Sequence, residues 1–279
     1  MSIDRKIFSL NQKKPIRRRI GKAKLLQNET QVLESDPKAQ TAFDMAGHVY
    51  DYMFTNFTRD GFDGIGKPIL IYVHAFKNSG IAKFYHSAQS DHVVFGDGDG
   101  KSFNSPLESL DIVAHELMHG YFTYLCPVHY GFSDGGAILE HLCDIFGIMI
   151  RRQKAGSSND WIMGVNYSKQ SAGIRDLKNP SNPDVHLPCK SHYINRIKYR
   201  SHNNLYENAG ILSAAYVAAE EDYQKNNSKS ILPIWYAALQ SIPRNCDFPT
   251  FAKTIVTAAS QSNPAAIPSI NSGLKMVGL

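Results

Sequence analysis

His115-Glu116-Leu117-Met118-His119 and, twenty residues on, Glu140-His141-Leu142-Cys143-Asp144 decide how this chain reads. The first stretch is H-E-x-x-H. On a helix, positions i and i+4 share one face, so His115 and His119 aim two imidazoles at one point. A zinc ion takes nitrogen and oxygen donors in tetrahedral array, and a catalytic site keeps one position for water. Glu116, one residue past the first histidine, is placed to take a proton from that water rather than to bind the metal. The second stretch is E-x-x-x-D, again at i, i+4. Glu140 supplies the third ligand, and Asp144 holds a histidine N–H from behind. Both carboxylates sit in an apolar run, Gly135-Gly136-Ala137-Ile138-Leu139 before them and Ile145-Phe146-Gly147 after. Burying them there is costly unless they are paired or metal-bound, so the second motif supports the first.

Outside these motifs the composition is ordinary. The chain has 279 residues, 43% hydrophobic and 20% charged, with a formal net charge of +5. That suits one large domain or two packed lobes. No apolar run reaches the length of a membrane span. Residues 1–25 hold nine Lys/Arg, one Asp and no apolar core of a signal peptide, so no secretory leader is read there. Sparse aromatic interleaving and the modest net charge argue against nucleic acid as a partner of this basic segment, which reads as a solvated edge. Four cysteines, Cys126, Cys143, Cys189 and Cys246, lack C-x-x-C spacing and read as reduced thiols. Cys143, three residues after Glu140, could approach the metal, but it reads first as a buried helix thiol.

The pattern predicts short strands over 1–35, a helix over 36–57, strands over 67–74 and 92–95, and helices over 109–125 and 136–154. Further helices are expected near 207–224, 228–241, 248–261 and 266–277. Strands dominate the first part and helices the second, an α+β lobe over 1–124 followed by a helical lobe over 125–279, with the active-site cleft between them. Asp97-Gly98-Asp99-Gly100 looks like the start of a calcium loop. Lys101 takes a ligand position and Ser102 stands where that loop needs glycine, so a tight turn is predicted.

These residues resemble the thermolysin-like zinc metallopeptidases, the thermolysin and bacillolysin family, over nearly the whole chain. Val94-Phe95-Gly96-Asp97-Gly98-Asp99-Gly100 is similar to the family's strand and turn before the active-site helix. Gly136-Ala137-Ile138-Leu139-Glu140 with Asp144-Ile145-Phe146-Gly147 resembles its glutamate-ligand helix, and Asn208-Ala209-Gly210-Ile211 the helix after its transition-state histidine. The resemblance implies a two-lobed fold, hydrolysis of polypeptide substrates and one zinc ion per chain on His115, His119 and Glu140. Glu116 would be the general base, Asp144 would orient a zinc histidine, and Arg175 would hold a substrate carbonyl. Tyr130 lies near the place of an oxyanion-stabilising tyrosine, in a loop one residue longer than the family's. Phe103, Ile112, Met163 and Ile174 would line the pocket beyond the scissile bond and, being apolar, favour a hydrophobic residue there. Ala82 would belong to the substrate-binding edge.

Three departures from the family pattern stand out. Tyr206 occupies the position of the transition-state histidine, with His202 nearby but off register. Ile81 stands where a substrate-gripping asparagine is expected, with Asn78 as a second candidate. Arg151, Ile162 and Val165 stand where the paired calcium site has carboxylates, leaving Asp160, so no calcium is expected there. With the missing leader, these departures point to a cytoplasmic protein or one exported without a classical signal peptide, or to a prosegment already removed. The leading function is a zinc endopeptidase. The alternatives are a zinc-binding pseudoprotease that holds a polypeptide without cutting it, and a zinc-free interaction protein with a basic arm.

Overall fold

The computed structural model describes residues 3–87, 90–128, 131, 134–156, 160–197 and 202–279. In order these form β1 (Arg5–Ser9), α1 (Arg17–Ile20), β2 (Lys24–Asn28), α2 (Pro37–Phe57), β3 (Asp60–Gly61), β4 (Ile65–Lys67), β5 (Ile69–Val73), β6 (Ala82–Tyr85) and β7 (His92–Phe95). There follow α3 (Leu110–Leu125), α4 (Asp134–Ala155), β8 (Ile162–Met163), β9 (Arg175–Asp176), α5 (His202–Gln224), α6 (Leu232–Leu239), α7 (Phe248–Ser262) and α8 (Ile267–Met276). The chain divides into two compact units. One comprises residues 1–124, 147–158 and 164–173, the other 125–146, 159–163 and 174–279.

The first unit is built on a five-stranded mixed sheet in the order β2-β1-β5-β7-β6. The pairs β1–β5 and β5–β7 are parallel, while the outer pairs β1–β2 and β6–β7 are antiparallel. β5 (Ile-Leu-Ile-Tyr-Val) and β7 (His-Val-Val-Phe) are near-continuous apolar runs, as expected of strands covered on both faces. α2 packs against β1 and β5. It starts where Asp36 accepts the amides of Lys38 and Ala39, each at 2.9 Å, and Pro37 needs no donor partner. Ala39, Ala42, Ala46, Val49 and Met53 then give it one fully buried stripe. The other side of the sheet carries the cluster Leu10, Tyr72, Ala75 and Val94, on which Ile81 packs. After β7, Gly98 bridges to Ser79 and the chain bends over residues 100–102, where Asp99 Oδ1 accepts the amides of Lys101, Ser102 and Phe103, each at 2.8 Å.

In the second unit α5 packs on α8 and α6 on α7. Its core holds Phe146, Tyr216, Trp235, Phe248 and Phe251. His141 is wholly buried in it. Its Nε2 accepts the indole N–H of Trp235 at 3.2 Å, which leaves Nδ1 to carry the proton towards Ser213 Oγ at 3.1 Å. Burial pushes the His141 pKa down to about 3, although the charge of Asp144 acts the other way, so this histidine is a neutral core residue. The β8–β9 pair sets Met163 opposite Arg175.

One charged clamp closes the first unit. His74, just past β5, takes a left-handed backbone (φ 54°). Its Nε2 lies 2.8 Å from Asp36 Oδ2 and its Nδ1 2.9 Å from Asp97 Oδ1, while Lys38 Nζ lies 3.2 Å from Asp97. The hydrogen bond to Asp97, then Asp36, raises the His74 pKa against the effect of burial. Burial pushes Asp36 and Asp97 up, but the Ala39 amide and His74 on Asp36, and His74 and Lys38 on Asp97, hold both below the carboxylate range. A raised imidazole pKa contributes stability below its unfolded value that is lost as pH rises through the folded one. Depressed carboxylates contribute above their unfolded value and lose it as pH falls. The clamp is therefore strongest between the carboxylate and imidazole ranges. His74→Asn, which tolerates the left-handed backbone, is expected to lower the unfolding midpoint most near pH 5.5, with a smaller deficit at pH 9. Thermal melts at the two pH values, read by circular dichroism, check this; equal deficits would refute it.

Candidate metal centre

α3 carries the H-E-x-x-H motif as the spacing requires. His115 Nε2 and His119 Nε2 lie 3.2 Å apart. Two nitrogens bound to one tetrahedral zinc at ~2.0–2.1 Å are themselves about 3.3 Å apart, so the imidazoles stand at ligand spacing. His115 is buried, and the His119 ring stacks on Phe84 with centroids 6.5 Å apart. The Phe84 N–H donates to Glu116 Oε2 at 2.8 Å. One residue of β6 thus fixes the acid and shelters one histidine. The helix itself is held by Phe62. A Cβ on Gly120 would meet that ring at 2.6 Å, and Phe62 also meets Tyr121 edge-on at 5.2 Å. Only a residue with no side chain permits this approach.

α4 carries Glu140, Cys143 and Asp144, all essentially inaccessible to solvent. The sequence reading weighed the Cys143 thiol both as a group near the metal and as a buried helix thiol, and its full burial fits the second role. None of the four cysteines is in a disulfide. Imidazole nitrogen with a carboxylate or thiolate suits a borderline ion such as zinc, rather than a hard cation that takes oxygen.

Asp144 makes a two-pronged ion pair with Arg175, Nε to Oδ2 at 2.8 Å and Nη2 to Oδ1 at 2.5 Å. Burial alone would lower the Arg175 pKa; the Asp144 carboxylate outweighs it and the net shift is upwards. The sequence reading gave these two residues separate tasks and did not foresee their pairing. Tyr206, half-buried near the start of α5, sets its ring 5.4 Å from the Arg175 guanidinium. Met163 Sδ also lies 3.6 Å from Arg175 Nη2, and Ile174 is buried beside it in sequence. In the first unit Phe103 stacks on Tyr167 at 4.8 Å, Ile112 is buried in α3, and Ala82 pairs with Phe95 across the β6–β7 ladder. Ile81 is a packing residue on the sheet cluster, and Asn78 is exposed with a left-handed backbone (φ 51°). Tyr130 and the side chain of His202 lie outside the described residues.

The family description "Thermolysin metallopeptidase, catalytic domain" matches residues 4–123, and "Thermolysin metallopeptidase, alpha-helical domain" matches residues 129–278. The chain belongs to the thermolysin metallopeptidases. Its class is therefore that of metal-dependent peptide hydrolases. It is 31% identical over 271 residues to an extracellular metalloprotease of Pectobacterium carotovorum subsp. carotovorum, covering 92% of this chain and 77% of that one. It is 36% identical over 196 residues to neutral protease B of Bacillus subtilis (strain 168), covering 67% of this chain and 33% of that one. The solved structure of the precursor of protealysin, a metalloproteinase from Serratia proteamaculans, superposes with a TM-score of 0.83 at 25% identity, covering 99% of this chain and 88% of that one. A mixed sheet-and-helix first part and a helical second part are thus the thermolysin arrangement. Among the described residues no helix is long and apolar enough to cross a membrane.

The Asp144–Arg175 pair sets a measurable stake. Removing one partner strands the other charge in the interior, which costs about 3–5 kcal/mol. Asp144→Asn and Arg175→Met are each expected to lose that much in urea unfolding, and the double variant less than the sum of the two. Simple additivity in this cycle would show that the two side chains are not energetically coupled.

Proposed function

We propose that this thermolysin metallopeptidase is a zinc endopeptidase, with His115, His119 and Glu140 as ligands and Glu116 as the proton carrier. The observation that carries this is the imidazole pair at ligand spacing beside an acid held by the Phe84 amide. Glu140 is preferred to Cys143 as third ligand on physical grounds. An ionised carboxylate is ready to bind zinc, whereas a thiol packs as an ordinary small hydrophobe and must first lose its proton to become a ligand. When bound, the zinc would polarise the scissile carbonyl and acidify the attacking water.

Glu116 takes the proton of the attacking water and returns it to the leaving amine. The Phe84 N–H keeps one carboxylate oxygen aimed during both transfers. Arg175 and Tyr206 offer donors to the developing oxyanion, with Tyr130 as a further candidate, and Asp144 orients a zinc histidine while fixing Arg175. Phe103, Ile112, Met163 and Ile174 line the subsite for the residue after the cleaved bond, and Ala82 lies on the strand that receives the substrate backbone. This reading divides the working parts at residues 1–124, with the H-E-x-x-H helix, and 125–279, with the third ligand. It favours polypeptides with a hydrophobic residue just beyond the cut.

Metal analysis separates the ligand assignments. Glu140→Gln should lose most bound zinc, and Cys143→Ser should keep it; the reverse result would move the ligand to the thiol. Glu116→Gln should retain zinc while turnover of a peptide library falls by about 10²–10⁴, the range for general acid–base groups. Zinc binding with no cleavage by the wild-type protein would instead leave a polypeptide-binding pseudoprotease. Tyr206→Phe should lower kcat by about 10²–10³ if the phenol donates to the oxyanion. An unchanged kcat would take Tyr206 out of the mechanism.

A further inference from the structure

We propose that the guanidinium of Arg151 is a built-in cation standing where a thermolysin metallopeptidase would place calcium, so that this fold is held without calcium binding at Asp111. Asp111, in the first turn of α3, is wholly buried. Its Oδ1 accepts Ser109 Oγ–H at 2.6 Å and the Ile112 N–H at 2.9 Å. Its Oδ2 accepts Arg151 Nη1 at 2.6 Å and the Gly164 N–H at 3.0 Å. A carboxylate has about four acceptor positions, and these four donors fill them. Calcium asks for the opposite surroundings, about 6–8 oxygen acceptors at 2.3–2.6 Å. Around Asp111 the nearest polar groups are donors, one of them already a full positive charge. The residues therefore do not fit the ion. Asp160, the remaining acid of the calcium pattern, accepts the Ile162 amide at 2.8 Å.

The placement ties this cation to the metal helix. Asp111 lies four residues before His115, one helical turn away on the same face. Arg151 is in the last part of α4, whose Gly147 lies against α3 so closely that a Cβ would meet the Asp111 carbonyl oxygen at 2.6 Å. The Gly164 amide adds a third segment to the same carboxylate. One ion pair thus fastens the start of α3, the end of α4 and the 164–173 segment, as an exchangeable ion would, but covalently attached and not removable. A guanidinium suits this position because it is charged at any working pH and donates in a fixed geometry.

This inference does not depend on peptidase activity, and its test reads unfolding and calcium binding. The full-length zinc-loaded protein is melted with calcium chloride titrated into the millimolar range, beside calorimetric titration of calcium alone. Wild type is expected to show no saturable rise in midpoint and no binding heat that depends on Asp111. Arg151→Met is expected to melt several degrees lower, and Arg151→Lys to recover part of the loss. The double variant Arg151→Met/Asp111→Asn removes both charges and should melt above Arg151→Met. That comparison still decides the matter if the single variant folds poorly. A saturable, calcium-dependent rise in the wild type that disappears in Asp111→Asn would overturn the proposal. So would an Arg151→Met variant that melts with the wild type.

Discussion

An ionised side chain inside a protein must be matched by charge or by several hydrogen bonds, because the interior replaces neither by itself. Much of this molecule's architecture follows from that constraint. α3 has Asp111, His115, Glu116 and His119 along it, and α4 has Glu140 and Asp144, in helices whose buried positions are otherwise mainly apolar. Where the structure gives partners to these groups, they are charge-assisted and specific: Arg151 on Asp111, the Phe84 amide on Glu116, Arg175 on Asp144. Each partner comes from a different segment of chain. The polar groups therefore position the helices they sit in as much as the apolar faces do.

The regular elements were legible because their signals are local. Asp36-Pro37 announced a helix that does begin at Pro37, His92–Phe95 was read to the residue, and the 109–125 and 136–154 predictions lie within two residues of α3 and α4. What was missed has a common physical form. β6 is four residues, Ala82–Tyr85, at a sheet edge, with little apolar alternation to mark it; its existence rests on pairing with β7 across the register Ala82↔Phe95 to Tyr85↔His92. The Phe84 contacts to Glu116 and His119 were invisible for the same reason. Sequence spacing reports which side chains share a helix face, not which backbone amide arrives from another strand. α5 also starts at His202, five residues before the helix read near 207–224.

The chemistry of the two motifs was legible, but the partnerships were less so. Arg175 and Asp144 are 31 residues apart in sequence and were assigned separate tasks, although a buried arginine almost requires a buried acid. The fact that could have linked them is that cost: Asp144 was placed in an apolar helix run with no cationic residue close by in sequence. The same reasoning applies to Arg151, which reads in isolation as a residue hostile to calcium and in the fold as the partner of Asp111, 40 residues away.

The positions read in the sequence as departures from the thermolysin pattern have surroundings that suit the residues found there. Ile81 costs nothing to keep because it packs on the Leu10–Tyr72–Ala75–Val94 cluster, an environment that would tax an asparagine. Arg151 brings its own charge to a carboxylate that would otherwise be stranded. Tyr206 stands beside the Arg175 guanidinium, whose position is already fixed by Asp144, so an aromatic face there gains a cation–π contact while its hydroxyl remains a donor. By contrast the pattern of His115, Glu116 and His119 is kept whole. Two imidazoles at one-turn spacing and an acid steered by a backbone amide depend on residue identity itself, because the lone pairs must stand at a set separation. Variation is thus tolerated where charge and volume can be balanced by other means, and not where a particular atom must point at a particular place.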